Sequence, residues 1–312
     1  MDRAWQLISN GDGMKALLAA RQALLINAES PEVHNLLGCI YAMDGDFDEA
    51  LSCYEKAMDL DDGYIDPLLN AAELLIHAAN RTDDAIALCR RARELVGPGE
   101  ELFEVKLLEI DALLSMGRAE EARTLLDGMP LSKKMSAIHA MLLGRALFET
   151  GDFERSREFI DFSLAKEPLM ADAWYCRGLL FREEGRRIEA VSAFLTVLDS
   201  DQRRDDAPWI DQFPSFEQLM KDAIALLDVD VRQMIQAAEL MVAPLPTRDQ
   251  LLQEVDPRQS VFVEGIDLEK QSFERVWLFF KNLEHAGILP TQAEENLAQV
   301  LTDEVRFSRR HF

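Results

Sequence analysis

The chain has 312 residues, 48% hydrophobic and 29% charged, a globular balance that excludes extensive disorder and leaves room for two domains. Its 33 basic and 57 acidic side chains give a net charge of −24, shared between residues 1–202 and 203–312. That surface argues against nucleic acid and anionic lipid, which need clustered Lys and Arg, and favours a protein or peptide partner of basic character.

The opening MDRAWQLISN has no basic stretch leading into an apolar run. No segment approaches the ~20 apolar residues of a membrane span, so no membrane insertion is expected. The four cysteines, Cys39, Cys53, Cys89 and Cys176, form no CxxC pair and sit in helical patterns, the usage of a reducing, cytoplasmic compartment.

In chain order, Ala16, Ala20 and Ala23 mark the second helix of a truncated first hairpin. Leu37, Gly38 and Tyr41 then precede Gly45, followed by Ala50, Tyr54 and Ala57. A helix around Asn70–Ala79 leads to Ala85, Cys89 and Ala92, and Gly117, Ala122 and Leu126 mark a fourth unit. Leu143, Gly144 and Leu147 precede Gly151, then Ser156, Ile160 and Ser163. Trp174, Gly178 and Phe181 precede Gly185, then Ala190, Phe194 and Val197. Gly144 to Gly178 spans 34 residues, as does Gly151 to Gly185. The small residues are expected where the two helices of a hairpin cross closely, the larger ones between the helices, and the glycines in the turns.

This register resembles the tetratricopeptide repeat, with its W-x₂-L-G-x₂-Y…A-x₃-F…P pattern. It is strongest in the second and sixth units. Five repeats and a partial first one, ending near Asp201, are expected in a mainly α chain. The resemblance implies a right-handed superhelix whose groove, lined by the first helix of each hairpin, holds a peptide or a helix of a partner. In register, that groove carries Glu32, Asn35, Asn70, His77, Asp111, Met141, Arg145, Asp172, Tyr175 and Arg182. The set is chemically mixed and lacks the ordered Lys and Asn residues that clamp a terminal carboxylate.

Asp199–Pro214 is charged and holds two prolines, and residues 203–214 read as a linker. Beyond it, helical spacing covers Phe216–Asp228 and Val231–Ala238. Leu240–Ala243 reads as a strand, Asp249–Glu254 as a helical turn, and Ser260–Val263 and Val276–Phe279 as strands with Gly265 between them. A last helix is expected from Thr291 to about Phe307, with Thr291 and Glu294 as a capping box. Residues 215–312 therefore form a small α+β domain.

The order of FEQLMKDAI, MVAPLP, DPR, FVEG and VWLFFKNLEH resembles a small zincin-like metallopeptidase domain found in bacteria. That family binds zinc through HExxH on its last helix. Here Asp303 stands at the first His, Glu304 keeps the base position and Phe307 stands at the second His. With both histidines missing, the resemblance implies a pseudoenzyme that binds no metal. His285 and His311 are the other histidines of this part, and His311 falls at the chain end. No phosphate loop, dinucleotide fingerprint or GxSxG is present, and the GDG of Gly11–Gly13 falls in a repeat turn. No cofactor is expected. The reading is a non-enzymatic interaction scaffold. Alternatives are a divergent metallohydrolase using Glu304, or a homo-oligomeric assembly factor.

Overall fold

The structure is a computed structural model and describes residues 7, 13–77, 81–129, 132, 134–207, 209–267, 272–288, 290 and 292–310. The chain divides into two compact units, Met1–Phe162 and Ser163–Phe312.

The first unit is helical. Helix α1 (Gly13–Ile26) is followed by the hairpins α2 (Pro31–Asp44) with α3 (Phe47–Leu60), α4 (Asp66–His77) with α5 (Thr82–Leu95), and α6 (Glu100–Ser115) with α7 (Ala119–Asp127). Helix α8 (Ala137–Glu149) pairs with α9 (Phe153–Lys166), whose end belongs to the second unit. Capping fixes the starts. Ser30 accepts from the Val33 amide, with Pro31 in the first turn, and Ser136 accepts from the His139 amide. Gly45, Gly117 and Gly151 turn the chain between partner helices at φ of 83°, 68° and 81°, where a side chain would be strained.

Close helix crossing explains the other small residues. A Cβ on Gly38 would strike the Tyr54 ring, and one on Gly144 would lie 2.6 Å from Ile160 Cδ1. Seen from the second helix, Ser156 is fully buried and its hydroxyl donates to the Gly144 carbonyl at 2.7 Å. Apolar clusters bridge successive helices: Ala16, Leu36 and Ile40, then Tyr54, Leu68 and Leu74, then Ile110, Leu126, Leu143 and Phe159. A buried ionic knot joins α5 to α6. Glu109, 2% exposed, lies 3.3 Å from Arg90 and 3.0 Å from Arg93.

The second unit opens with one more hairpin, α10 (Ala171–Glu183) and α11 (Arg187–Asp201), turned at Gly185 with φ 71°. A 3₁₀ turn (Ile210–Gln212) leads to α12 (Phe216–Leu226), α13 (Val229–Ile235), β1 (Glu239–Ala243), α14 (Arg248–Leu252), β2 (Val261–Asp267), β3 (Ser272–Phe279) and α15 (Ala293–Arg310). The sheet has the order β1-β3-β2, with β1 parallel and β2 antiparallel to β3. Its core joins Met220 and Ala223 of α12, Val231 and Ile235 of α13, Val276 and Leu278 of β3, and Leu297 and Leu301 of α15.

Three expectations change here. Gly265 lies inside β2, at φ 67°, rather than in the turn between the strands, because pairing runs on through Ile266–Phe273 and Asp267–Ser272. The described residues of 203–214, read as a linker, are held by contacts with the chain that follows. Lys281 Nζ donates to the Arg204 carbonyl at 2.8 Å and pairs with Asp206 at 2.9 Å, while Trp209 and Phe213 meet edge-on at 5.9 Å. The last hairpin is not separate from the small α+β part, as Leu245 and Leu251 share a buried cluster with Ala190, Phe194 and Leu198. The cap residue Thr291, His311 and Gly11–Asp12 lie outside the described residues, as does the side chain of His77.

Candidate functional site

The first helices of the hairpins in the first unit share one face. At its start, Glu32 is exposed and accepts from the Ser30 hydroxyl at 2.5 Å, a hydrogen bond that holds its carboxyl below the usual range. Asn35 and Asn70 meet across the hairpin boundary. Asn70 Nδ2 donates to Asn35 Oδ1 at 2.9 Å, and Asn35 Nδ2 donates to the Tyr64 hydroxyl at 3.2 Å. Asn35 is 1% exposed, so its amide serves to join two repeats rather than to meet a ligand. Burial pushes the Tyr64 hydroxyl up to about 12 and raises the neighbouring Cys39 thiol.

Further along, a cavity of about 470 Å³ opens among α4, α6 and α8. Leu107, Leu108, Leu114 and Leu142 supply its apolar lining. Glu73, Glu104, Asp111, His139 and Arg145 supply its polar groups. Arg145 Nη2 donates to Asp111 Oδ1 at 3.1 Å, and Arg145 Nε lies 3.7 Å from Glu149. His139 is wedged against Phe103, ring centroids 5.0 Å apart. Asp111 and Arg145 are thus brought together, while Met141 is not part of this face. It is buried, because α8 is covered on more than one side, as Ala137, Ala140, Leu143 and Ala146 also show. Sequence reading missed Glu73, Glu104 and the α6 leucines. Their signal was the helical spacing of Leu107, Leu108 and Leu114 in the unit whose repeat pattern is weakest.

In the second unit, Asp172, Tyr175 and Arg182 line α10, and all three are engaged by residues that come after α14. Arg258 lies 2.6 Å from Asp172, the Tyr175 hydroxyl donates to Asp256 at 3.1 Å, and Arg182 lies 3.6 Å from Asp256.

Family models for the tetratricopeptide repeat match residues 31–64, and residues 107–161 and 141–207. The matched hairpins are tetratricopeptide repeats. Solved structures share the fold. PilF of Pseudomonas aeruginosa is 17% identical with a TM-score of 0.55, over 65% of this chain and 90% of that one. PilW, a type IV pilus biogenesis factor, is 14% identical at 0.57, over 65% and 93%. A tetratricopeptide repeat protein of Parabacteroides merdae is 14% identical at 0.50, over 62% and 74%. At these identities the likeness is one of fold. No curated protein matches the chain.

The repeat matches end at residue 207, and none of these comparisons supports the metallopeptidase resemblance of the part beyond it. On α15 the three motif positions point to separate tasks. Asp303 accepts from Gln299 at 3.0 Å, Phe307 is 59% exposed, and Glu304 turns toward β2. Glu304 accepts from the Val263 amide at 3.5 Å and from the Ser308 hydroxyl at 3.3 Å. Among the described residues, no group of three or more His, Cys, Asp or Glu could hold a metal ion, and no helix is long and apolar enough to cross a membrane.

Burial raises the Glu304 carboxyl above its ordinary value, against the hydrogen bonds from Val263 and Ser308. The folded chain therefore keeps this proton to higher pH than the unfolded chain. Its contribution to stability is present below the unfolded value and is lost as pH rises through the folded one. Glu304→Gln removes that dependence. Urea midpoints at pH 7 and pH 5 are expected to show wild type gaining on the variant at the lower pH. A constant difference would show that the carboxyl does not titrate this way.

Proposed function

We propose that the protein is a non-enzymatic interaction scaffold. The cavity among α4, α6 and α8 grips a segment of a partner protein that carries an apolar side chain beside a basic one. The observation that carries this reading is the leucine lining beside Glu73, Glu104 and Asp111, against which Arg145 is the one guanidinium among the described residues of the lining. An apolar side chain displaces water from the leucines, and a neighbouring Lys or Arg meets the carboxylates. The part after residue 202 is read as a non-catalytic module, since the motif histidines are missing and Glu304 is turned toward β2. A reducing, cytoplasmic setting suits four cysteines that form no disulfide.

The test is a photo-crosslinking residue placed at Glu104 of the full chain, with the same residue at Ile188 as control, which is 84% exposed on α11. A discrete adduct is expected from Glu104, on a partner peptide with Lys or Arg next to an apolar residue. Leu107→Glu with Leu142→Glu, checked for helix content, is expected to abolish it, at a binding cost of about 2 kcal/mol or more. Equal adducts from both positions would remove the reading.

A further inference from the structure

Residues 254–258 form a strap along α10. Its start is fixed by Glu254, a non-glycine residue at φ 71°, and by the buried Val255. From the module side, Asn282, fully buried, donates Nδ2 to the carbonyls of Pro257 at 2.8 Å and Gln259 at 2.9 Å. The strap backbone is thus held on one side, and the side chains of Asp256 and Arg258 are left to meet α10 on the other.

The two faces complement each other charge for charge. Asp256 Oδ1 accepts from the Arg258 amide at 2.9 Å, which closes the turn, and Oδ2 accepts from the Tyr175 hydroxyl and faces Arg182. Arg258 reaches Asp172 at 2.6 Å, and its guanidinium lies 4.8 Å over the Tyr175 ring. Asp201, itself buried, lies 3.6 Å away. Tyr175 is therefore used twice, its hydroxyl for the acid and its ring for the arginine. With the order reversed, acid would face Asp172 and arginine would face Arg182. Lysine lacks the planar fork and the stacking surface of arginine.

We infer that the α10 face is a recognition site for an acid–proline–arginine segment, and that the chain fills it with its own Asp256–Pro257–Arg258. Tethering supplies that segment at an effective concentration of about millimolar or above, so the intact chain admits no second copy. Removing one anchor of the strap opens the site to the same segment in trans. The site belongs to the second unit, and the inference does not depend on the reading of the first unit's cavity.

The test uses the full chain and a fluorescein-labelled peptide of residues 254–260, EVDPRQS. Wild type is expected to show no saturable binding up to about 1 mM peptide. Arg258→Gln, which leaves the Asn282 hydrogen bonds in place, is expected to bind it. Asp256→Asn, which unpairs Arg182 instead, is the second release variant and keeps the test readable where R258Q fails to fold. Adding Asp172→Asn to either is expected to weaken binding by about tenfold or more. The peptide EVRPDQS, with acid and arginine exchanged, is expected not to bind. Binding to neither release variant, or equal binding of the two peptides, would overturn the inference.

Discussion

Gly144→Val is expected to destabilise the protein by about 3 kcal/mol, the upper end of the range for overpacking a filled site. The first added carbon would stand 2.6 Å from Ile160 Cδ1, 2.8 Å from its Cγ1 and 3.4 Å from its backbone nitrogen. The side chain cannot swing clear, because Ile160 is fully buried, and the helices cannot close further, because the backbone is already near. A better helix former than glycine recovers only a few tenths of a kcal/mol here, so the clash wins. Ile160→Ala alone costs about 2–5 kcal/mol by leaving a cavity. In Gly144→Val with Ile160→Ala the new methyls enter that cavity, so the double variant is expected to lose clearly less than the sum of the singles. Urea midpoints of the four proteins measure this. Strict additivity would mean that the two residues do not share one space.

Removing both Arg90 and Arg93 is expected to cost about 3 kcal/mol or more, because Glu109 is left buried without its two ion-pair partners. The asymmetry of the knot makes the arginines the sensitive side. They are partly exposed, with side chains at 46% and 35%, and regain water when the acid is lost, whereas Glu109 at 2% cannot. Adding Glu109→Leu to the double variant is expected to restore most of the loss, since an apolar side chain of similar volume suits the site without partners. If the triple variant is no more stable than the double, the loss comes from the arginine stems packed on α6 rather than from a stranded charge. Denaturation at one fixed pH and salt concentration separates the two.

The repeats were legible because their steric rules recur at fixed spacing. Gly38, Gly144 and Gly178 each lie under the residue that the pattern pairs with them: Tyr54, Ile160 and Phe194. The strands of the second unit were legible from local composition, and only their ends moved, because continued pairing carried β2 through Gly265. What the sequence did not show was which members of the shared face remain open. Asn35 and Met141 have the right register, yet neighbouring repeats cover α2 and α8 more fully than periodicity alone implies. Asp172, Tyr175 and Arg182 lie on α10. Their partner residues lie far along the chain, Tyr175 and Asp256 being 81 positions apart, and such a pairing leaves no local trace. The same holds for the cavity, where Glu73, Asp111 and Arg145 come from three different hairpins.

The glycine turns at Gly45, Gly117, Gly151 and Gly185 share one left-handed backbone conformation, and each sits in a connection only two or three residues long between its paired helices. The joints from one hairpin to the next are not alike. Residues 61–65, 96–99, 128–136 and 167–170 are five, four, nine and four long. A hairpin therefore behaves as an indivisible brick, and the mortar between bricks is where chain length is free to change. Inserted sequence, such as a tag or a reporter, belongs at the exposed residues 61–63 rather than at any glycine turn, because there it lengthens a joint without shifting the register by which each glycine finds its partner side chain.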